Sequence, residues 1–225
     1  MQALDPQPPA PEPMARLLLQ WGVAPVPAAP VPERVGGWLG WADAIGLSQV
    51  LAAPPAATAN AAALREARDW AAAALDRVQA DLSAAFDDTL LARDAAEIAP
   101  EGVPLSDLLA PFRLHHSQQQ RSMAARVATL RERLRPRLAE ASGALARLAQ
   151  LDVVLERAVG AQERERLAGL ATLLTKRAEG HHATDPRRWR ARLWSDLQRL
   201  LRAELDLRLQ PVQGLIEALH DDSPR

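Results

Sequence analysis

Two pairs of adjacent histidines are the residues of this chain whose chemistry would suit a metal site. They are His115 with His116, and His181 with His182. A metal site needs three or four converging ligands. Neighbouring residues on a helix point about 100° apart, so neither pair can chelate an ion by itself. We predict exposed histidines in a loop or at a helix end, and no metal; a metal-dependent enzyme is the alternative if the pairs meet in the fold.

A group of carboxylates is the second candidate for chemistry. Asp87, Asp88, Asp94 and Glu97 lie close together, and paired carboxylates can act in acid–base catalysis or bind a divalent cation. No Asp/Glu-x-x-His motif accompanies them, as it would in a carboxylate metal site of a helical bundle. We therefore expect a solvated acidic surface.

Other kinds of catalytic site lack their residues. The chain has no cysteine, which excludes disulfides, thiol catalysis and cysteine-ligated metals. It has neither a glycine-rich phosphate loop nor a G-x-S-x-G serine motif. We predict a protein that is not an enzyme, with no catalytic residue and no cofactor.

The elements that would position these residues are helices. Hydrophobic residues make up 48% of the 225 residues, yet there are only two Phe and no Tyr, and alanine and leucine favour helices. Apolar residues recur at three- and four-residue steps. The predicted helices span residues 14–21, 33–53, 60–98, 116–159, 162–179 and 186–209. A short turn or helix is predicted at 105–111, and Pro211 is predicted to kink or restart the last helix.

These elements predict an all-α, elongated helical bundle built on a long antiparallel helix pair. We assign residues 1–13 to a disordered proline-rich arm, 14–59 to N-terminal helices with a proline linker, 60–220 to the bundle and 221–225 to a tail. The apolar stripe from Met123 to Val159 averages 3.6 residues per step, which predicts one nearly straight helix with a kink at Pro136 and an end at Gly160.

Charge is segregated between the predicted helices. Residues 60–97 carry eight acidic and four basic side chains, and residues 113–147 carry eight arginines against two glutamates. We predict that these helices are neighbours and pair their charges; the alternative is a basic binding face. The formal net charge of -1 does not favour nucleic acid as a partner.

A cluster of arginines gives one alternative function. Arg187, Arg188, Arg190 and Arg192 surround Trp189, and arginines interleaved with an aromatic ring can hold phosphates. A binder of nucleic acid or of an anionic surface is therefore the second hypothesis.

Tryptophans give the leading hypothesis, a protein–protein interaction module. Trp38 and Trp41 share a helix face that continues to Ile45, and Trp189 and Trp194 lie on a broad apolar face. Aromatic anchors dominate protein interfaces. The first pair is either a core pair or an exposed docking patch, and a homodimer would also cover apolar faces. No secretory signal and no apolar run long enough to cross a bilayer is present, so we expect a cytoplasmic protein.

Four segments resemble an uncharacterised proteobacterial family, the one labelled domain of unknown function 3348. They are WLGWADAI at 38–45, HSQQQRSM at 116–123, LDVVLERA at 151–158 and AELDLRLQPVQGLIEAL at 203–219. The family has no established activity, so the resemblance implies no site residue. It implies a cytosolic accessory subunit of an envelope-associated membrane complex, because genes of this family often neighbour genes for stator-like and peptidoglycan-binding membrane proteins.

Overall fold

The computed structural model of the chain describes residues 13–24, 40–52 and 60–222. Within these ranges it contains helices and no strand, which confirms the all-α prediction. The predicted arm up to residue 12, most of the proline linker and Trp38 lie outside the described residues. The helices are α1 Pro13–Gln20, α2 Trp41–Ala52, α3 Ala61–Ala85, α4 Thr89–Ala96, α5 Leu105–Ala141, α6 Gly143–Thr184 and α7 Trp189–Asp221.

Helices α3, α5, α6 and α7 form an up-down-up-down bundle. The contacts between α5 and α6 run in opposite directions along the two helices, from Arg113 with Thr175 to Arg131 with Asp152. The antiparallel pair of the prediction is thus part of a four-helix arrangement. Helices α1 and α4 pack on α7, and α2 packs on α6.

The bundle core is built mainly from leucines of α5, α6 and α7. Leu134 and Leu138 of α5 and Leu197 and Leu201 of α7 have no exposed surface. Each recurs at helical spacing, so one face of each helix is removed from water, which is the main favourable contribution to folding.

The predicted helix 116–159 is wrong at Ser142. Ser142 has extended backbone angles (φ −161°, ψ 162°), and its Oγ accepts a hydrogen bond from Leu145 N at 3.2 Å. A serine can satisfy a free backbone N–H at a helix start, so the chain reverses here through one residue. The predicted end at Gly160 is also wrong, because α6 continues through Gly160 as far as Thr184.

Three other predicted boundaries differ from the structure. The helix 60–98 is divided because Asp88 caps α4, its Oδ1 accepting from Leu90 N and Leu91 N at 3.0 and 2.9 Å. Residues 105–111 are the beginning of α5, and α7 continues through Pro211. By contrast, Asn60 caps α3 where the sequence predicted a helix start.

Candidate functional site

Helix α2 presents an exposed surface that is uncharged and mostly apolar. We call the residues of this surface the α2 face: Trp41, Ala44, Ile45, Ser48, Gln49, Leu51 and Ala52. Trp41 is 84% exposed, and Ile45 and Leu51 are 38% and 54% exposed. No residue of the α2 face is charged. The sequence alternative of a buried tryptophan pair is wrong for Trp41.

The opposite side of α2 is fastened to α6. Asp43, the only charged residue of α2, accepts a hydrogen bond from Arg157 Nε at 3.0 Å. Arg147 donates to the carbonyl oxygen of Val50 at 3.1 Å and to that of Leu51. A guanidinium at this end of a helix satisfies free carbonyls and complements the helix dipole. These contacts orient α2 so that Trp41 points away from the bundle.

The other two predicted anchor tryptophans belong to the core. Trp189 has no exposed surface, and its ring centroid lies 6.5 Å from that of Phe112. Trp194 is partly buried, with its ring centroid 5.7 Å from that of His115. Trp189 cannot touch a partner in this conformation, so the exposed anchors among the predicted residues that the structure describes are Trp41 and Ile45.

The arginine cluster does not form one surface. The side chain of Arg190 is 5% exposed and pairs with Asp94 of α4. Arg192 lies 3.5 Å from Asp185. Arg187 and Arg188 are exposed and form no ion pair within the described ranges. Two of the four arginines are therefore free to meet an anionic partner.

The prediction of exposed histidines is wrong for His115 and His116. Both are buried in α5, at 5% and 1% exposure. The Nε2 of His115 lies 3.1 Å from the carbonyl oxygen of Phe86. His181 is partly buried, and its Nε2 lies 2.8 Å from Asp196 Oδ2. The histidine pairs do not converge, and the part of the chain that the structure describes holds no group of three or more potential metal ligands.

His116 belongs to a polar cluster in the core, centred on Glu204. Glu204 is fully buried, and its Oε1 accepts two hydrogen bonds from Arg208, at 2.9 and 2.8 Å. Its Oε2 accepts from Gln120 Nε2 at 3.1 Å and lies 3.5 Å from His116 Nε2. Burial alone would raise the pKa of Glu204, but His116 and Arg208 outweigh it, so this pKa lies below its usual value.

The sequence analysis did not predict this cluster, although the positions of its residues relative to core residues indicate it. Glu204 stands between Leu201 and Leu205, which are both fully buried, and His116 stands seven residues before the buried Met123. A charged or polar residue in phase with core leucines indicates a buried polar contact, because it shares their helix face.

The charge pairing between α3 and α5 is confirmed at one position only. Arg126 Nη1 lies 3.2 Å from Asp81 Oδ2, and both side chains are largely exposed. The two more buried arginines, Arg131 and Arg135, instead pair with carboxylates of α6. Burial lowers the pKa of Arg135, but Glu156 and Asp152 raise it more, so the pKa lies above its usual value.

A cleft of about 610 Å³ opens between α5, α6 and α7. One wall is formed by the α6 part of the predicted apolar stripe: Leu148, Leu151, Leu155 and Val159. Leu155 is 37% exposed. Leu148, Leu151 and Val159 are partly buried. The neighbouring carboxylates Asp152, Glu156 and Glu163 pair with arginines of α5 and α7.

The described helices include none that is both long enough and apolar enough to cross a membrane. No significant match was found to a curated protein or to a solved structure. A family model described as protein of unknown function (DUF3348) matches residues 2–221, nearly the whole chain, and this chain therefore belongs to that family.

Proposed function

We propose that this protein is a non-enzymatic interaction module that binds a protein partner through the α2 face. The observation that carries the proposal is Trp41, which is 84% exposed at the start of a helix face without a charged residue. Charged residues make up about 25% of a typical soluble protein and are mostly exposed. A contiguous exposed apolar patch is typical of an interaction site.

The way α2 is held supports this role. Arg157 and Arg147 fasten the inner side of the helix to α6, so the outer side is presented without the cost of ordering a loop on binding. Gly46 lies on the inner side, where an added Cβ would be 3.6 Å from Val154 Cγ2. This is an ordinary van der Waals distance, so the inner side of α2 packs directly on α6.

The finer proposal concerns the partner. The family's genes often neighbour genes for stator-like membrane proteins, which favours a subunit of an envelope-associated membrane complex as the partner. In this proposal the chain is a cytosolic accessory subunit of that complex. A partner of this kind would bury the Trp41 ring in an apolar pocket. A second copy of the chain could also cover the α2 face. The experiment below distinguishes this self-association from binding to a membrane-complex subunit.

The test is a pull-down of tagged protein from detergent-solubilised native cells, with mass spectrometry of the co-purified proteins. Trp41→Ala removes the proposed anchor, and Leu114→Ala is the matched control, since Leu114 is 56% exposed on α5. An interface hot spot contributes about 2 kcal/mol or more, so we expect binding to weaken about thirtyfold in Trp41→Ala. Far-UV circular dichroism checks that both variants stay folded.

The outcomes separate the partners. Recovery of membrane proteins by wild type and Leu114→Ala, but not by Trp41→Ala, supports the accessory-subunit role. Recovery of untagged copies of the chain alone, lost in the same variant, assigns the α2 face to self-association. Equal recovery of partners by all three proteins contradicts the proposed docking surface.

A second candidate function is binding of nucleic acid or an anionic surface through Arg187 and Arg188. It rests on the exposure of these two arginines and on the absence of an ion pair for either in the described part of the chain. When the logarithm of affinity is plotted against the logarithm of salt concentration, each phosphate contact adds about 0.9 to the magnitude of the negative slope. Two contacts predict a slope near 2, which Arg187→Gln/Arg188→Gln would abolish in a fluorescence-anisotropy titration with duplex DNA.

A further inference from the structure

The cleft between α5, α6 and α7 has the features of a ligand site. Its volume of about 610 Å³ falls within the range of small-molecule pockets, which lie preferentially between elements of a bundle. Its walls are leucines and other apolar residues of three helices, including Leu151 and Leu155 of α6 and Leu215 of α7. The space is therefore shaped for an apolar group.

The charges at the cleft indicate which headgroup would accompany that apolar group. Arg131 pairs with Asp152 and Glu156, and Arg208 pairs with Glu163. Each of these charges is already compensated.

Arg164 is the exception among the charged residues of the cleft. It is exposed and forms no ion pair with any residue that the structure describes. Its Nη1 lies within 3.5 Å of where a Cβ on Gly160 would stand, which places the guanidinium against the cleft lining. An uncompensated guanidinium favours a carboxylate or phosphate, to which arginine can donate two parallel hydrogen bonds.

We infer that the cleft binds one alkyl chain of an amphiphile with an anionic headgroup, the chain against Leu151 and Leu155 and the headgroup at Arg164. Gly160 makes room for the chain, because a larger residue there would occupy the space between α6 and the other two helices. This inference is independent of the docking role of the α2 face, since none of the residues of α2 lines the cleft.

The test is isothermal titration calorimetry of the full chain with laurate, decanoate and dodecyltrimethylammonium, all below their micelle concentrations. Laurate has two more methylene groups than decanoate and should bind roughly tenfold more tightly. The cation should bind at least about tenfold more weakly than laurate, since it cannot pair with Arg164.

Matched variants locate the two ends of the ligand. Arg164→Gln should weaken laurate about tenfold and remove the preference for the anion, whereas Arg65→Gln, at an exposed arginine of α3 that does not line the cleft, should change affinity less than about twofold. Leu155→Ser should weaken laurate about tenfold, and Val153→Ser should not, because Val153 is 45% exposed on α6 but does not line the cleft. Gly160→Leu fills the cleft with a better helix former and should abolish binding.

The results decide the inference and the source of the ligand. Laurate binding with these variant effects, and no co-sedimentation with vesicles of anionic phospholipid, supports a free fatty acid. Co-sedimentation that requires both Arg164 and Leu155 supports a membrane lipid. The inference is overturned if laurate does not bind saturably, if the cation binds equally well, or if Arg164→Gln and Leu155→Ser leave the affinity of a folded protein unchanged.

Discussion

Removal of Arg208 would isolate a carboxylate in the middle of the bundle. Glu204 is fully buried, and Arg208 is the arginine that donates to it, at 2.9 and 2.8 Å. Breaking a buried ion pair by removing one partner costs about 3–5 kcal/mol, because the other charge stays buried without compensation. We expect Arg208→Met to lower the free energy of unfolding by about 3 kcal/mol at pH 7, since Gln120 and His116 still contact the carboxylate.

Glu204→Gln is the matched control for this variant. It keeps the shape of the side chain and leaves Arg208 paired with Glu163 at 3.1 Å. The loss should therefore be smaller, about 1–2 kcal/mol, the range for a buried hydrogen bond that loses its charge. Urea unfolding followed by far-UV circular dichroism measures both losses. A loss below about 1 kcal/mol in Arg208→Met, or one smaller than in Glu204→Gln, would refute the assigned role of the ion pair.

The same pair predicts a pH dependence. The folded-state pKa of Glu204 lies below its usual value of 4.5, because His116 and Arg208 outweigh the effect of burial. The stability it contributes is present above the unfolded-state pKa and is lost as the pH falls through the lower folded-state pKa. Without Arg208, less positive charge opposes the effect of burial on Glu204, so the folded-state pKa of Glu204 rises. The difference in unfolding free energy between wild type and Arg208→Met should therefore shrink below pH 4.5; an unchanged difference between neutral and acidic pH would contradict this account.

Three further stability predictions can be checked by the same urea unfolding. Ser142→Ala removes the cap of α6 and should cost about 1 kcal/mol. Gly169→Ala adds a Cβ into open space inside α6 and should stabilise the protein by up to about 1 kcal/mol. Gly102→Ala should destabilise it, because Gly102 has φ +77°. A stabilising Gly102→Ala with a destabilising Gly169→Ala would contradict the backbone assignment. Leu134→Ala should cost about 2–5 kcal/mol, because Leu134 has no exposed surface, and Leu90→Ala, 68% exposed on α4, should stay within about 0.5 kcal/mol.

Local signals in the sequence explain most of the helix assignments. Helix α3 begins after Asn60, where the sequence predicted a helix start. The division at Ser142 was not predicted because the apolar spacing keeps its phase on both sides of that residue. A serine with unbroken periodicity is compatible with a continuous helix and with a cap. The choice is made by the antiparallel packing of α5 on α6, which a straight helix could not achieve.

The assignment of α6 shows a second kind of limit. Periodicity indicates which residues share a helix face, but not whether a neighbour covers that face. Leu151 and Leu155 share the face of the predicted apolar stripe, and in the structure this face lines the cleft. Val154 lies on another face, which α2 covers. Both faces are apolar, so the sequence could not rank them.

The sequence by itself determined the all-α class, because alanine and leucine favour helices and the three- and four-residue spacing of apolar residues is a property of a single helix. Only the tertiary structure decided that Trp41 is exposed while Trp189 is fully buried, and that His116 meets Glu204 in the core. These outcomes depend on contacts between residues far apart in the chain. A local pattern can define the face on which a side chain lies, whereas its exposure and its charge partners are properties of whatever packs against that face.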